Sequence, residues 1–130
     1  MTRSRWLFTA LVLAQAAHSV EEYLGRLWEF LPPARILSGL VSPDLERGFL
    51  VLNISIFVFG VWCVLWPVRR GWPSATPIMW GWIVVEISNG FVHPLWSMVN
   101  GFYTPGTGTA PFLLALALLL ALELRGSTRD

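Results

Sequence analysis

Gln15-Ala16-Ala17-His18-Ser19-Val20-Glu21-Glu22, residues 15 to 22, lies inside the first long apolar segment of the chain. On a helix, positions i, i+3 and i+4 share a face, so His18, Glu21 and Glu22 point to one side, with Gln15 a turn earlier. Each ionised group held in hydrocarbon costs roughly 2.5–3.5 kcal/mol. Three such side chains in one turn therefore need a paired or wetted interior to face. Other apolar helices must enclose them, and the rest of the chain is read for those helices.

At 130 residues the chain is one domain, residues 1–130. Only 13% of its residues are charged and 55% are hydrophobic. Soluble chains carry about 25% charged residues, so the deficit points to a membrane. A net charge of +1, with no basic cluster larger than Arg69-Arg70, gives no reason to expect nucleic acid. The single cysteine, Cys63, cannot form an intrachain disulfide. Arg3, Arg5, the apolar run that follows and Ala14-Gln15-Ala16 also fit a cleavable signal peptide. The apolar stretch continues past that cut, and it is read here as a span.

Four apolar segments are long enough to cross hydrocarbon, about residues 5–28, 45–66, 74–98 and 107–124. Leu31-Pro32-Pro33 ends the first. Residues 34–41 suit a short amphipathic helix at the interface. Ser42 is the expected N-cap of the second segment, with Pro43 at its first position. Pro67, Arg69, Arg70, Gly71 and Pro73 should break the second, and Pro94 should kink the third just past His93. Residues 100–106 read as a loop, and the Leu/Ala-rich fourth segment as packing without a polar group for a site.

The fold expected is thus all-α, an integral membrane four-helix bundle. Arg3 and Arg5, Arg69 and Arg70, and Arg125 and Arg129 fall on one side of such a bundle. The positive-inside rule makes that side, with both termini, cytoplasmic. At 1.5 Å per residue, Gln15, His18 and Glu22 lie about 15, 20 and 26 Å from the cytoplasmic end, and Glu86, Asn89 and His93 match them at about 15, 20 and 26 Å. Asn53, on the descending second segment, comes in at roughly 21 Å. Three helices bring their polar groups to one layer, and nothing in composition demands it.

His18-Ser19-Val20-Glu21-Glu22 resembles the motif of the HxxEE family of small bacterial integral membrane proteins. Asn53, Asn89, His93 and Tyr103-Thr104-Pro105-Gly106 look like the same family, so the likeness spans about residues 10 to 122. It implies a compact multi-span protein in a bacterial cytoplasmic (inner) membrane and supplies no reaction.

The chemistry comes from the residues. Carboxylates crowded in a low dielectric cannot all stay ionised, and a proton-bearing Glu beside a His is an acid–base pair. The leading expectation is an enzyme of isomerase, cyclase or hydrolase type, acting on a lipophilic small molecule by isomerisation, epoxide opening or cyclisation without a cofactor. Its catalytic candidates are His18, Glu21, Glu22, Glu86 and His93. Gln15, Asn53, Trp82, Asn89 and Tyr103 would bind or orient the substrate, with Tyr103 over the mouth. The bland readings stand beside these: Asn53 as interhelical glue, Trp82 as packing, Glu21 turned toward headgroups. A second expectation makes His18, Glu22, Glu86 and His93 ligands to zinc or non-haem iron. A third is a proton-coupled carrier or lipid-binding protein. Partners would be the lipophilic substrate and membrane lipid, and a homo-oligomer stays open.

Overall fold

A computed structural model of the chain describes residues 2–127. Arg129, counted above with the C-terminal positive charge, lies outside them. The described residues form five helices and no strand: α1 (Thr2–Leu24), α2 (Pro32–Val41), α3 (Leu45–Cys63), α4 (Ala75–Asn100) and α5 (Ala110–Gly126).

Local chemistry explains most of the boundaries. After α1 the backbone turns through Arg26 in the left-handed region and a short 3-10 turn, Leu27–Glu29. Two prolines then open α2, where a missing N–H leaves no intrahelical bond unmade. The cap of α3 lies two residues later than the sequence suggested. Asp44, not Ser42, accepts from the Arg47 backbone N–H, at 3.1 Å. Ser42 instead ends α2, and its hydroxyl accepts from the Asp44 N–H at 3.2 Å.

Pro67 does not break the second segment where it stands. The helix widens into a π-type turn over Val64–Val68 and absorbs the ring, a local adjustment that re-pairs the carbonyls Pro leaves without donors. Likewise α4 runs past Pro94 to Asn100.

α1 packs against α5 and α3, and α5 packs along α4. α2 folds back over the start of α3. α4 reaches α1 chiefly through long side chains, and a cleft lies between α3 and α4. The apolar core comes in two pieces. Phe8, Leu11, Ile83, Leu113, Ala117 and Leu120 fill one end, and Leu27, Trp28, Leu31 and Phe49 the other. Between them along α1 lie Gln15, His18 and Glu22, all buried.

The outside is apolar. Val58 is 60% exposed, Val84 62%, Phe91 61%, Met98 78% and Phe112 67%, whereas His18 and Glu86 are fully buried. That distribution inverts the one water selects. Among the described residues, one helix, Leu45–Val68, is long and apolar enough to cross a membrane. α1 dilutes its apolar run with Gln15, His18, Glu21 and Glu22, and α5 has 17 residues.

Candidate functional site

The two neighbouring glutamates of α1 part company. Glu22 turns inward, one turn above His18, and meets His93 from α4. His18 Nε2 lies 3.0 Å from Glu22 Oε1 and 3.2 Å from His93 Nε2, and His93 Nε2 lies 3.1 Å from the same Glu22 oxygen. The three atoms form a nearly equilateral triangle. The imidazoles stand edge to face, 4.6 Å between centroids and 85° between planes. All three side chains are buried.

Glu21 turns the other way, onto the loop that leads into α5. One oxygen accepts from the backbone N–H groups of Gly106 at 2.8 Å and Gly108 at 3.1 Å, and from the Tyr103 hydroxyl. The other accepts from the N–H and the hydroxyl of Thr109, each at 2.8 Å. These N–H groups come from the turn just ahead of α5, beside a helix N-terminus where a negative charge is favoured. Burial, then the hydrogen bond to Glu21 and its charge, push the Tyr103 hydroxyl up to about 12, so it remains a donor. Thr109 joins the two glutamate systems, because its Oγ1 also lies 2.6 Å from His18 Nδ1.

His93 is held in the same manner from above. Its Nδ1 lies 2.9 Å from the Pro105 carbonyl. Gly106 follows at φ 95, and a Cβ there would run into the His93 ring. The loop is also stapled to α4 by Ser97, whose hydroxyl lies 2.7 Å from both Thr104 Oγ1 and Thr107 Oγ1.

Glu22 and His93 sit on the wall of the cleft between α3 and α4, which encloses about 760 Å³. Most of that wall is apolar: Leu52, Ile56 and Phe59 on α3 face Ile78 and Val85 on α4. Its other polar groups are Gln15, Asn53, Glu86, Ser88 and Asn89. Glu86 Oε2 accepts from Asn89 at 3.1 Å, and with its amide oriented to donate Gln15 lies 3.1 and 2.8 Å from the two Glu86 oxygens. Asn53 accepts from Ser19 of α1 at 2.7 Å and donates to the Phe49 carbonyl at 3.0 Å. Trp82 closes the cleft below Glu86, edge-on to Phe8 and stacked beside Phe59.

Two glutamates with opposite duties, four residues and three residues after one histidine, give the five-residue stretch a reason to exist as a unit. The model of a family described as "Protein of unknown function with HXXEE motif" matches residues 6–121. The chain belongs to the HXXEE family. No curated protein and no solved structure matches it.

In this HXXEE protein the structure gathers Gln15, Glu22, Asn53, Trp82, Glu86, Asn89 and His93 at one cleft, with His18 directly behind Glu22 and His93. Glu21 and Tyr103 are absent from the cleft wall. Tyr103 holds Glu21 rather than covering the mouth. The fourth segment does bring a polar group to the site, contrary to the reading from its composition. The described helix begins at Ala110, so Gly108 and Thr109 are loop and turn their N–H groups onto Glu21. Ser19, Ser97, Thr104 and Thr109 carried no signal of their own. A Thr-Gly-Thr run before a helix, facing an unassigned glutamate, is the one hint that could have found Thr109.

Proposed function

We propose that this protein is a membrane-embedded enzyme that admits a lipophilic small molecule sideways, between α3 and α4, and acts on it by acid–base chemistry. One observation carries the reading: a largely apolar cleft of about 760 Å³ whose wall includes a few polar groups, a fully buried glutamate among them. Ligand sites have that composition, apolar walls with a small polar set that fixes orientation. Glu86 is the proton-transfer group, oriented by Asn89 and Gln15. Glu22 and His93 face the same space from the other side. Isomerisation, epoxide opening or cyclisation of a terpenoid-like molecule fits such a set. The apolar exterior supports a bilayer setting, with α1, α3, α4 and α5 spanning and α2 lying at the outer surface. The Arg3, Arg5, Arg69, Arg70 and Arg125 side is then cytoplasmic.

The function is tested at Gly81 and Glu86. Gly81 lines the cleft, and a side chain added there meets nothing within 4 Å of its first carbon. Gly81→Leu is therefore expected to fold normally and to abolish labelling of the cleft by a diazirine-bearing alkane dissolved in the vesicles. Glu86→Gln is expected to keep that labelling. It should lower turnover of membrane-partitioned terpenoid epoxides and alkenes, followed by mass spectrometry, by about 10²–10⁴. Labelling unaffected by Gly81→Leu, or full turnover in Glu86→Gln, would remove the reading.

Topology has its own test. Leu40, 78% exposed on α2, and Ser127 after α5 lie on opposite sides in this arrangement. A membrane-impermeant thiol reagent added outside is expected to label Leu40→Cys and spare Ser127→Cys. Equal labelling of both from outside would refute the orientation.

A further inference from the structure

The protons around the His18–Glu22–His93 triangle can be counted. Thr109 Oγ1 donates its hydrogen to Glu21 Oε1, so towards His18 Nδ1, 2.6 Å away, it can only accept. The Pro105 carbonyl beside His93 Nδ1 has no hydrogen to give. Each imidazole therefore carries its proton on Nδ1, and in the neutral ring the opposite nitrogen is a bare acceptor. Both bare Nε2 atoms point at each other and at a carboxylate oxygen, at 3.0, 3.1 and 3.2 Å. Three lone pairs meet in a buried place with no donor between them. Buried acceptors facing one another are costly unless something positive lies among them.

We propose that His18, Glu22 and His93 bind a divalent transition-metal ion, zinc or iron(II), on the wall of the cleft. One added proton can lie along only one edge of the triangle, whereas a metal ion takes all three lone pairs at once. The spacing suits it: bonds of about 2.0–2.1 Å at angles of about 90–110° separate ligand atoms by about 2.8–3.4 Å. Two imidazoles and one carboxylate are the donor set that zinc and non-haem iron(II) share. Thr109 and the Pro105 carbonyl are the outer partners that fix the ring orientation of metal-bound histidines. Three protein ligands leave coordination positions over, and Glu22 and His93 both face the cleft, so those positions open where a lipophilic ligand would bring an oxygen. There the ion supplies a Lewis acid to that oxygen. Glu86 is not in the triangle and stays a cleft residue. The metal reading goes beyond the acid–base proposal and does not depend on it.

The test is direct. Full-length protein, purified in detergent without chelator, is expected to hold about one zinc or iron per chain by elemental analysis. Stripped protein should take up cobalt(II) with a visible ligand-field spectrum. The nearly isosteric Glu22→Gln, and His18→Ala and His93→Ala, should each lower bound metal at least tenfold, while Glu86→Gln keeps it. Thr109→Val should weaken binding about 10–100-fold, and Thr109→Ser should restore it, since the hydroxyl alone is at issue. Elution volume and thermal unfolding report whether each variant is folded. Elemental analysis separates zinc from iron. Folded wild type that neither retains nor takes up zinc, iron(II) or cobalt(II) overturns the proposal, as does folded Glu22→Gln with full metal. Alkane labelling that persists in metal-free wild type would confine the failure to the metal site. Bound metal with no labelling would uphold the metal site and remove the lipophilic-substrate reading alone.

Discussion

Glu21→Ala is expected to destabilise the protein by about 3–5 kcal/mol, more than any other single loss of a polar side chain outside the His18–Glu22–His93 triangle. Five donors converge on this carboxylate, from Gly106, Gly108, Thr109 (twice) and Tyr103. The exposed Tyr103 hydroxyl and Gly108 N–H can turn to water. The remaining three cannot readily do so, and each orphaned buried donor costs about 1–3 kcal/mol. Glu21→Gln should cost nearly as much, because an amide offers one oxygen to two groups of donors and aims its NH2 at the other. The control is Glu29→Ala. Glu29 lies 2.7 Å from Arg26, but the two side chains are 46% and 51% exposed, and exposed pairs contribute about 0–1 kcal/mol. Unfolding by SDS titration would compare the three. A Glu21→Ala midpoint equal to that of Glu29→Ala would show that the carboxylate locks nothing.

The second large effect is expected at Gly106. Its φ of 95 lies where L side chains are strained, and a Cβ there would enter the His93 ring. Gly101 separates the two causes. It also has a positive φ, 73, yet a Cβ added to it meets nothing within 4 Å. Gly101→Ala should therefore cost only the backbone term, about 1–2 kcal/mol. Gly106→Ala should cost about 2–5 kcal/mol, since overpacking adds about 1–3 kcal/mol to the strain. It should also weaken the metal binding proposed for the triangle, because the His93 ring, displaced by the new Cβ, would pull away from the Pro105 carbonyl. Equal losses at the two glycines would mean that the ring has room to move.

What the sequence disclosed, and what it withheld, follows from how far each signal reaches. Helical spacing placed Gln15, His18, Glu21 and Glu22 on one face, which the structure upholds for all but Glu21, and a fixed rise per residue put Glu86, Asn89 and His93 in the same layer. Both arguments are local to a helix, and both agree with the cleft. The division between Glu21 and Glu22 was out of reach. Adjacent residues on a helix differ by only about 100°, and which of them faces the bundle depends on a loop more than eighty residues away. Thr109 was hidden for a related reason: it stands at the edge of a Leu/Ala segment whose composition argued for packing. Pro67 misled because a proline's effect depends on whether the turn around it can widen, and Val64–Val68 does so. The cap of α3 slipped by two residues because Ser42 and Asp44 both have the right side chain, and only backbone geometry chooses between them.

The tie between Glu21 and the turn before α5 also sets an order of events during synthesis. Glu21 and its partner Gly106 are 85 residues apart, an interval of roughly 4–17 s at the usual pace of a ribosome. Throughout it, Glu21 lacks the loop donors that will hold it and Glu22 has only His18 of its own helix until His93 is made, and neither Thr109 nor Pro105 exists to set the imidazole protons. In the spanning arrangement proposed above, that would leave the first helix a costly span until the last one arrives. Docking of α5 then fixes α1 and sets His18 and His93 in one event, so the His18–Glu22–His93 triangle is complete only when the final helix is in place.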